Sequence, residues 1–261
     1  MLESLAFVVL CLPVALQGEK KDAPPPQDPQ RVAAVVKELE TAFAGKSESE
    51  KLSAIRKGAE VRDPKVISAI AKGINENEPE VKRAAITALG GMRHEEALAA
   101  LTSAYKRDEM KWKKDEALFP VLLKEIARHG DPSSIEILLK DPASQKTYPA
   151  IQARILGLAN IRSPKSVAGE FELMNLVGMR QLDPYMNDFR TALTRLTGQD
   201  QGPSPEMWQK WWTSNREKVE VAREPKPMGE LMQKFWDNYW SSGAESPAKE
   251  AASKKEPPKK E

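Results

Sequence analysis

From Arg31 to about Trp240 the apolar side chains recur every three or four positions, and no stretch alternates strictly enough to make a strand. Val32, Val35, Val36, Leu39 and Phe43 form one stripe, Val81, Ala84, Ala85, Ala88 and Leu89 a second, and Leu98, Leu101 and Tyr105 a third. Between stripes lie pairs in which a capping residue precedes proline: Asp63-Pro64, Glu78-Pro79, Asp131-Pro132, Ser163-Pro164, Asp183-Pro184 and Ser204-Pro205. A short polar side chain satisfies the orphan amides of a first turn, and proline at the first helical position fixes φ for entry. The spacing predicts about twelve helices joined by short connectors, with no long structureless loop.

Those helices recur in pairs. An Ala- and Leu-rich helix, a polar turn and a second helix are read around Leu89-Gly90, again at Ile126 to Pro132, and again at Leu158 to Pro164; Ala59 to Pro64 is a weaker copy. Pro64, Glu96, Pro132 and Pro164 mark the second helices at steps of 32, 36 and 32 residues, and Pro205 follows 41 residues later. A pair of this length cannot bury its apolar faces alone; stacking against neighbours solves that, which predicts an all-α solenoid of antiparallel helix pairs.

The segment Glu78-Pro79-Glu80-Val81-Lys82-Arg83-Ala84-Ala85-Ile86-Thr87-Ala88-Leu89-Gly90, continuing through Leu98 and Leu101 to Asp108, resembles a HEAT repeat. The resemblance implies structural roles for Pro79, Val81, Arg83, Ala85, Leu89 and Gly90, with Arg83 tying one repeat to the next. It also implies a curved stack that binds other macromolecules. A second likeness lies in Leu193 to Gly202 followed by Trp208-Gln209-Lys210-Trp211-Trp212, similar to a terminal element of exported bacterial HEAT-repeat proteins.

The two ends differ from this middle. Residues 1–18 contain an apolar run from Leu5 to Leu16, short of the roughly 20 residues that span a bilayer and suited to a secretory signal peptide. They predict export to the periplasm or medium, with no transmembrane span after cleavage. Residues 19–30 are proline-rich and read as a linker, and residues 241–261, rich in Lys, Glu and Pro, read as a solvated tail. The organisation read is thus a repeat region over 31–197 and Trp-rich capping helices over 198–240.

Charge narrows the function classes. Forty Lys plus Arg against 38 Asp plus Glu leave a formal charge of +2, which disfavours a nucleic-acid partner for the surface as a whole. Cys11, the one cysteine, falls in the segment expected to be removed, so neither disulfides nor cysteine-zinc chemistry is expected. His94 and His129 occupy similar turns of successive repeats, too far apart to share a metal, and His94-Glu95-Glu96-Ala97-Leu98 lacks the second histidine of a zincin helix. No nucleophile elbow or phosphate-cradling glycine loop occurs. No catalytic residue, metal or cofactor is read.

Two clusters invite a binding reading. Residues 106–114, Lys-Arg-Asp-Glu-Met-Lys-Trp-Lys-Lys, fall in the longer 36-residue step. Insertions in repeat arrays map to loops, so Lys106, Arg107, Lys111, Trp112, Lys113 and Lys114 form a candidate basic loop with an exposed aromatic. Five of the six tryptophans lie between 208 and 240. Trp208, Trp211, Trp212, Trp236 and Trp240 read first as a cap on the open end of the stack, and second as an aromatic platform for a sugar or peptide. The expectation is a non-enzymatic exported scaffold binding a protein partner along a concave face lined by 64–74, 95–106, 133–140 and 165–178. The alternatives are a polyanion or carbohydrate module, and a cell-envelope hydrolase or lyase without a recognisable motif.

Overall fold

The computed structural model describes residues 28–144, 147–222 and 224–241. The expected signal peptide, most of the linker and most of the tail lie outside these residues. Among them are thirteen α-helices and no strand. In order they are α1 (Pro29–Ala44), α2 (Glu48–Gly58), α3 (Pro64–Lys72), α4 (Pro79–Gly91), α5 (Glu95–Arg107), α6 (Glu109–Lys114) and α7 (Phe119–Arg128). There follow α8 (Ile135–Leu139), α9 (Tyr148–Asn160), α10 (Pro164–Val177), α11 (Met186–Thr197), α12 (Pro205–Asn215) and α13 (Glu230–Ser241).

The caps act where the proline pairs are. Asp63, Asp131, Ser163 and Ser204 each accept a hydrogen bond from a backbone amide two or three residues on, at 2.8–3.4 Å. Two pairs differ: Glu78 precedes Pro79 of α4 without a side-chain cap hydrogen bond, and Asp183-Pro184 forms a short 3₁₀ turn that leads into α11. At the start, Asp28 caps α1 through the Gln30 amide (3.0 Å), so Pro29 and Gln30 belong to the helix and not to a linker.

Two layers result. The first helices of successive pairs, α2, α4, α7, α9 and α11, pack side by side in that order; the second helices α3 and α5 form one stretch of the other layer, headed by α1, and α8 and α10 another. This is the α-solenoid that the repeat spacing predicts. Its core runs between the layers: Ile67 and Ile70 of α3, Ile86 and Leu89 of α4, Leu122 and Ile126 of α7, Ile155 and Leu158 of α9, Phe171 of α10 and Phe189 of α11 are fully or almost fully buried. Each such side chain contributes about 1.5–3 kcal/mol of burial free energy.

Two features depart from a plain repeat. The extra residues of the 36-residue step fold into α6. The described residues of 216–229, between α12 and α13, carry no α-helix, against the expectation of short connectors throughout. Arg162, at the turn between α9 and α10, holds that stretch by donating to the carbonyls of Ala222 and Glu224 (2.5–3.3 Å). The chain then returns, and α13 lies across the first-helix layer.

Candidate interaction surfaces

The repeat positions come first, because they fix everything else. Val81, Ala85 and Leu89 have no exposed surface and Pro79 opens α4. Arg83 donates to the carbonyl of Ala117, in the segment leading to α7 (3.5 Å), so it bridges to the next pair. At Gly90 a β-carbon would collide with the carboxylate of Glu125 and lie 2.6 Å from its Cβ. The bare backbone lets α7 approach and seats Glu125, 1 % exposed, where Arg128 grips it (2.5 and 3.2 Å). His129 is half-buried beside them, and desolvation pushes its pKa down despite a hydrogen bond with the Leu89 backbone. His94 instead caps α5, its Nδ1 accepting from the Glu96 amide (3.4 Å). Among the described residues no three His, Cys, Asp or Glu side chains gather as metal ligands would.

The basic segment 106–114 is not a loop with an exposed aromatic. Asp108 breaks α5 from α6, and both sides are helical. Trp112 is 8 % exposed and donates its Nε1 proton to the Ala104 carbonyl (2.9 Å). Lys113 is buried as well, in a network with Glu109 (2.7 Å) and Asp141 (3.1 Å) that Lys140 closes on Glu109 (2.5 Å). Hydrogen bonds from the two lysines hold the Glu109 carboxyl below its usual range, and those from Lys113 and Ser144 do the same for Asp141. These contacts tie α6 to the end of α8, so Trp112 and Lys113 hold the fold together. Lys106, Arg107, Lys111 and Lys114 remain exposed. The signal for Trp112 was in the sequence: it extends the Leu98, Leu101, Tyr105 stripe by seven residues, in the midst of five cations.

The tryptophans divide into two groups that engage different helices. Trp208 is fully buried and donates to the Gly202 carbonyl (2.8 Å), while Trp211 and Trp212 stack on Phe171 of α10, with centroids 6.4 and 4.7 Å away. This group sets α12 against the last second helix, as a lid would lie. Its turn is built by Gly198 in the left-handed region (φ 70°) and by Asp200, which accepts from the Gly202 amide and from Arg190 (2.6 and 2.8 Å).

Trp236 and Trp240 are elsewhere. They belong to α13, which does not cap the stack's end but straps the first-helix layer. Three cations of that layer meet it. Lys124 donates to the Tyr239 carbonyl (2.6 Å) and Arg128 to the Trp240 carbonyl (3.0 Å), filling acceptors that a helix C-terminus leaves orphaned. The Tyr239 ring covers Lys124 (4.5 Å), Trp240 lies over Arg128 (5.3 Å) and Trp236 over Arg195 of α11 (4.1 Å). Burial brings the Lys124 amine down to about 8. The rings are thus committed to cations and to one another, and the two groups do not form a single platform.

Sequence reasoning missed the buried charges inside the later pairs. Arg154 of α9 has no exposed surface; its Nη1 donates to the Leu138 carbonyl (2.5 Å) and burial lowers its pKa to about 10. Asp188 accepts from Tyr148 (2.9 Å) and Gln152 (3.0 Å). Glu170 of α10 is fully buried with neither carboxylate oxygen hydrogen-bonded; desolvation, and then the nearby Asp188, push its pKa well up. Nothing in the local sequence distinguishes these residues from solvated charges on a helix surface.

No curated protein matches the chain. Residues 36–118, from within α1 to the residue before α7, match the model of a family described as HEAT repeats, so over that segment the chain is similar to HEAT-repeat proteins and the pairs from α7 onward rest on their geometry.

Proposed function

We propose that this chain is a non-enzymatic scaffold, exported by residues 1–18, that captures a protein partner on the face of its second helices. The observation that carries this reading is the difference between the layers. The first helices α7 and α9 are buried almost all round, and α13 is fastened to α7 by Lys124 and Arg128. The second helices keep an open outer row: Lys65 and Ser68 on α3, Ala99 and Ser103 on α5, Glu136 on α8, and Ala168, Glu172 and Asn175 on α10 are exposed. A stacked layer of this kind is a long rigid surface, and rigid surfaces lose little entropy on binding. HEAT repeats commonly mediate protein interaction, which favours the same reading.

The test is alanine substitution of exposed residues on all four helices, followed by partner capture in the native cell envelope and thermal unfolding. Capture should weaken with the melting temperature unchanged; capture that survives the full set refutes the proposal. Fractionation of cells for the chain, with and without residues 1–18, tests export.

A further inference from the structure

The second-helix face carries one depression whose chemistry names an occupant. Two adjoining hollows, about 260 and 270 Å³, share Ile74, Asn75 and Arg107. The first lies between α3 and α5, on a floor of Ser68, Ala71, Ala100 and Ser103. The second continues past the end of α5 toward α4 and α6, between Lys82 and Lys111. Where they meet, Arg107 donates from Nη2 to Asn75 Oδ1 (2.6 Å), which fixes the guanidinium across the groove.

We infer that this groove binds an extended acidic segment of a protein partner; the inference rests on the scaffold reading and specifies its site and ligand chemistry. Ser68, Ala71, Ala100 and Ser103 are short, and Lys72, which also lines this hollow, is paired with Glu40 (3.0 Å), so a peptide backbone can lie close between α3 and α5; the hydroxyls of Ser68 and Ser103 have no hydrogen-bond partner among the described residues. Lys82 and Lys111 have no ion pair among the described residues. The carboxylates beside them are engaged: Asp108 with Arg107 (3.4 Å), and Asp115 with the amides of Ala117 and Leu118 (3.2 and 2.9 Å). Three cations, Lys82, Arg107 and Lys111, thus line the groove against two carboxylates, Asp108 and Asp115, and the excess of positive charge is complemented by carboxylates spaced along a strand. Nucleic acid fits less well: the one ring lining the groove, Trp112, is buried with its N–H used, so it offers no platform for base stacking.

The test uses the full chain and fluorescence polarisation with a labelled peptide of alternating Glu and Ala. Its Lys-for-Glu counterpart and a single-stranded oligothymidylate of equal charge are run beside it. The acidic peptide should bind, more weakly as salt rises. The double variant Lys82→Glu/Lys111→Glu should lose about tenfold in affinity, while Lys106→Glu/Lys114→Glu, the same charge change outside the groove, should lose less than about twofold. All four side chains are half-buried or exposed, and thermal unfolding of each variant confirms the fold. Equal losses in the two variants, equal binding of the lysine peptide, tighter binding of the oligothymidylate or no binding of the acidic peptide would each overturn the inference. Photo-crosslinkers at Ser103 and at Asn175 in the native envelope separate the two ideas. A partner caught at Asn175 but not Ser103 removes the groove and keeps the scaffold; no partner at either removes both.

Discussion

Replacing Glu170 by glutamine should change the pH dependence of stability by close to one proton. In the folded chain the carboxyl has no exposed surface and no hydrogen bond, so its charged form is opposed by desolvation and by Asp188. In the unfolded chain it titrates as an ordinary glutamate, near about 4.3. The folded pKa lies above the unfolded one. The stabilising protonation is therefore complete in acid and is lost as pH rises through the folded pKa. Between the two values the folded protein holds one proton more than the unfolded, and each pH unit removes about 1.4 kcal/mol of stability. Glutamine has nearly the same shape and no charge to desolvate, so the variant should lack this slope.

The measurement is urea unfolding of both chains at a series of pH values from mild acid upward, taking the difference in ΔG at each. Differencing matters, because Glu109, Asp141 and Asp200 have depressed pKa values and make the opposite contribution in acid. The difference should grow with pH in favour of the variant, at up to about 1.4 kcal/mol per unit. A leucine variant, which removes the unpaired polar group altogether, should behave likewise. A flat difference, or a variant that loses stability relative to the parent as pH rises, would refute the picture of a neutral, unpartnered acid inside the stack.

Lys124 should show the reverse sense: its folded pKa is near 8 against an unfolded 10.5, so its contribution is present in alkali and lost as pH falls through the folded value. Lys124→Met should remove that dependence between about pH 8 and 10.5, read by the same differencing. Gly90→Ala should cost about 3 kcal/mol in urea unfolding, since the new methyl displaces Glu125 from Arg128 and strands a buried charge. Trp112→Ala should cost about 3–5 kcal/mol, and a variant of unchanged melting temperature would put the ring back on a binding surface. Trp236→Ala uncovers Arg195 and should loosen α13, seen as faster protease cleavage within 216–229 at native temperature.

The architecture was legible because it depends on spacing. Proline at Pro64, Pro79, Pro164 and Pro205 marks helix starts whatever surrounds it, and the stripe of Val81, Ala85 and Leu89 fixes which face is covered. Clusters were legible only as clusters. The run from Lys106 to Lys114 reads as one basic patch, yet a helix turns about 100° per residue and sends neighbours to opposite sides. Lys111 faces a groove, Trp112 enters the core and Lys113 joins Glu109 and Asp141. The tryptophans misled for another reason: Trp208 and Trp236 are near in sequence, but the stretch at 216–229 carries the second back to α7 and α11. Such a contact, over 112 residues between Arg128 and Trp240, leaves no local trace.

The strap also takes three cations of the first-helix layer out of play for binding. A solenoid whose layers were both open would present Lys124, Arg128 and Arg195 on one side and the groove cations on the other. Covering the first by Tyr239, Trp240 and Trp236 removes three of those charges from solvent, and the rings gain cation–π contacts of about 0.5–2 kcal/mol each in return. It also closes the orphan carbonyls at the end of α13, which would otherwise have to be hydrated. What stays open is the second-helix layer, where the hollow between α3 and α5 has short side chains such as Ser68, Ala71, Ala100 and Ser103 and Arg107 is held by Asn75. One face thus works as a spine, and the opposite face is the one the proposed partner would use.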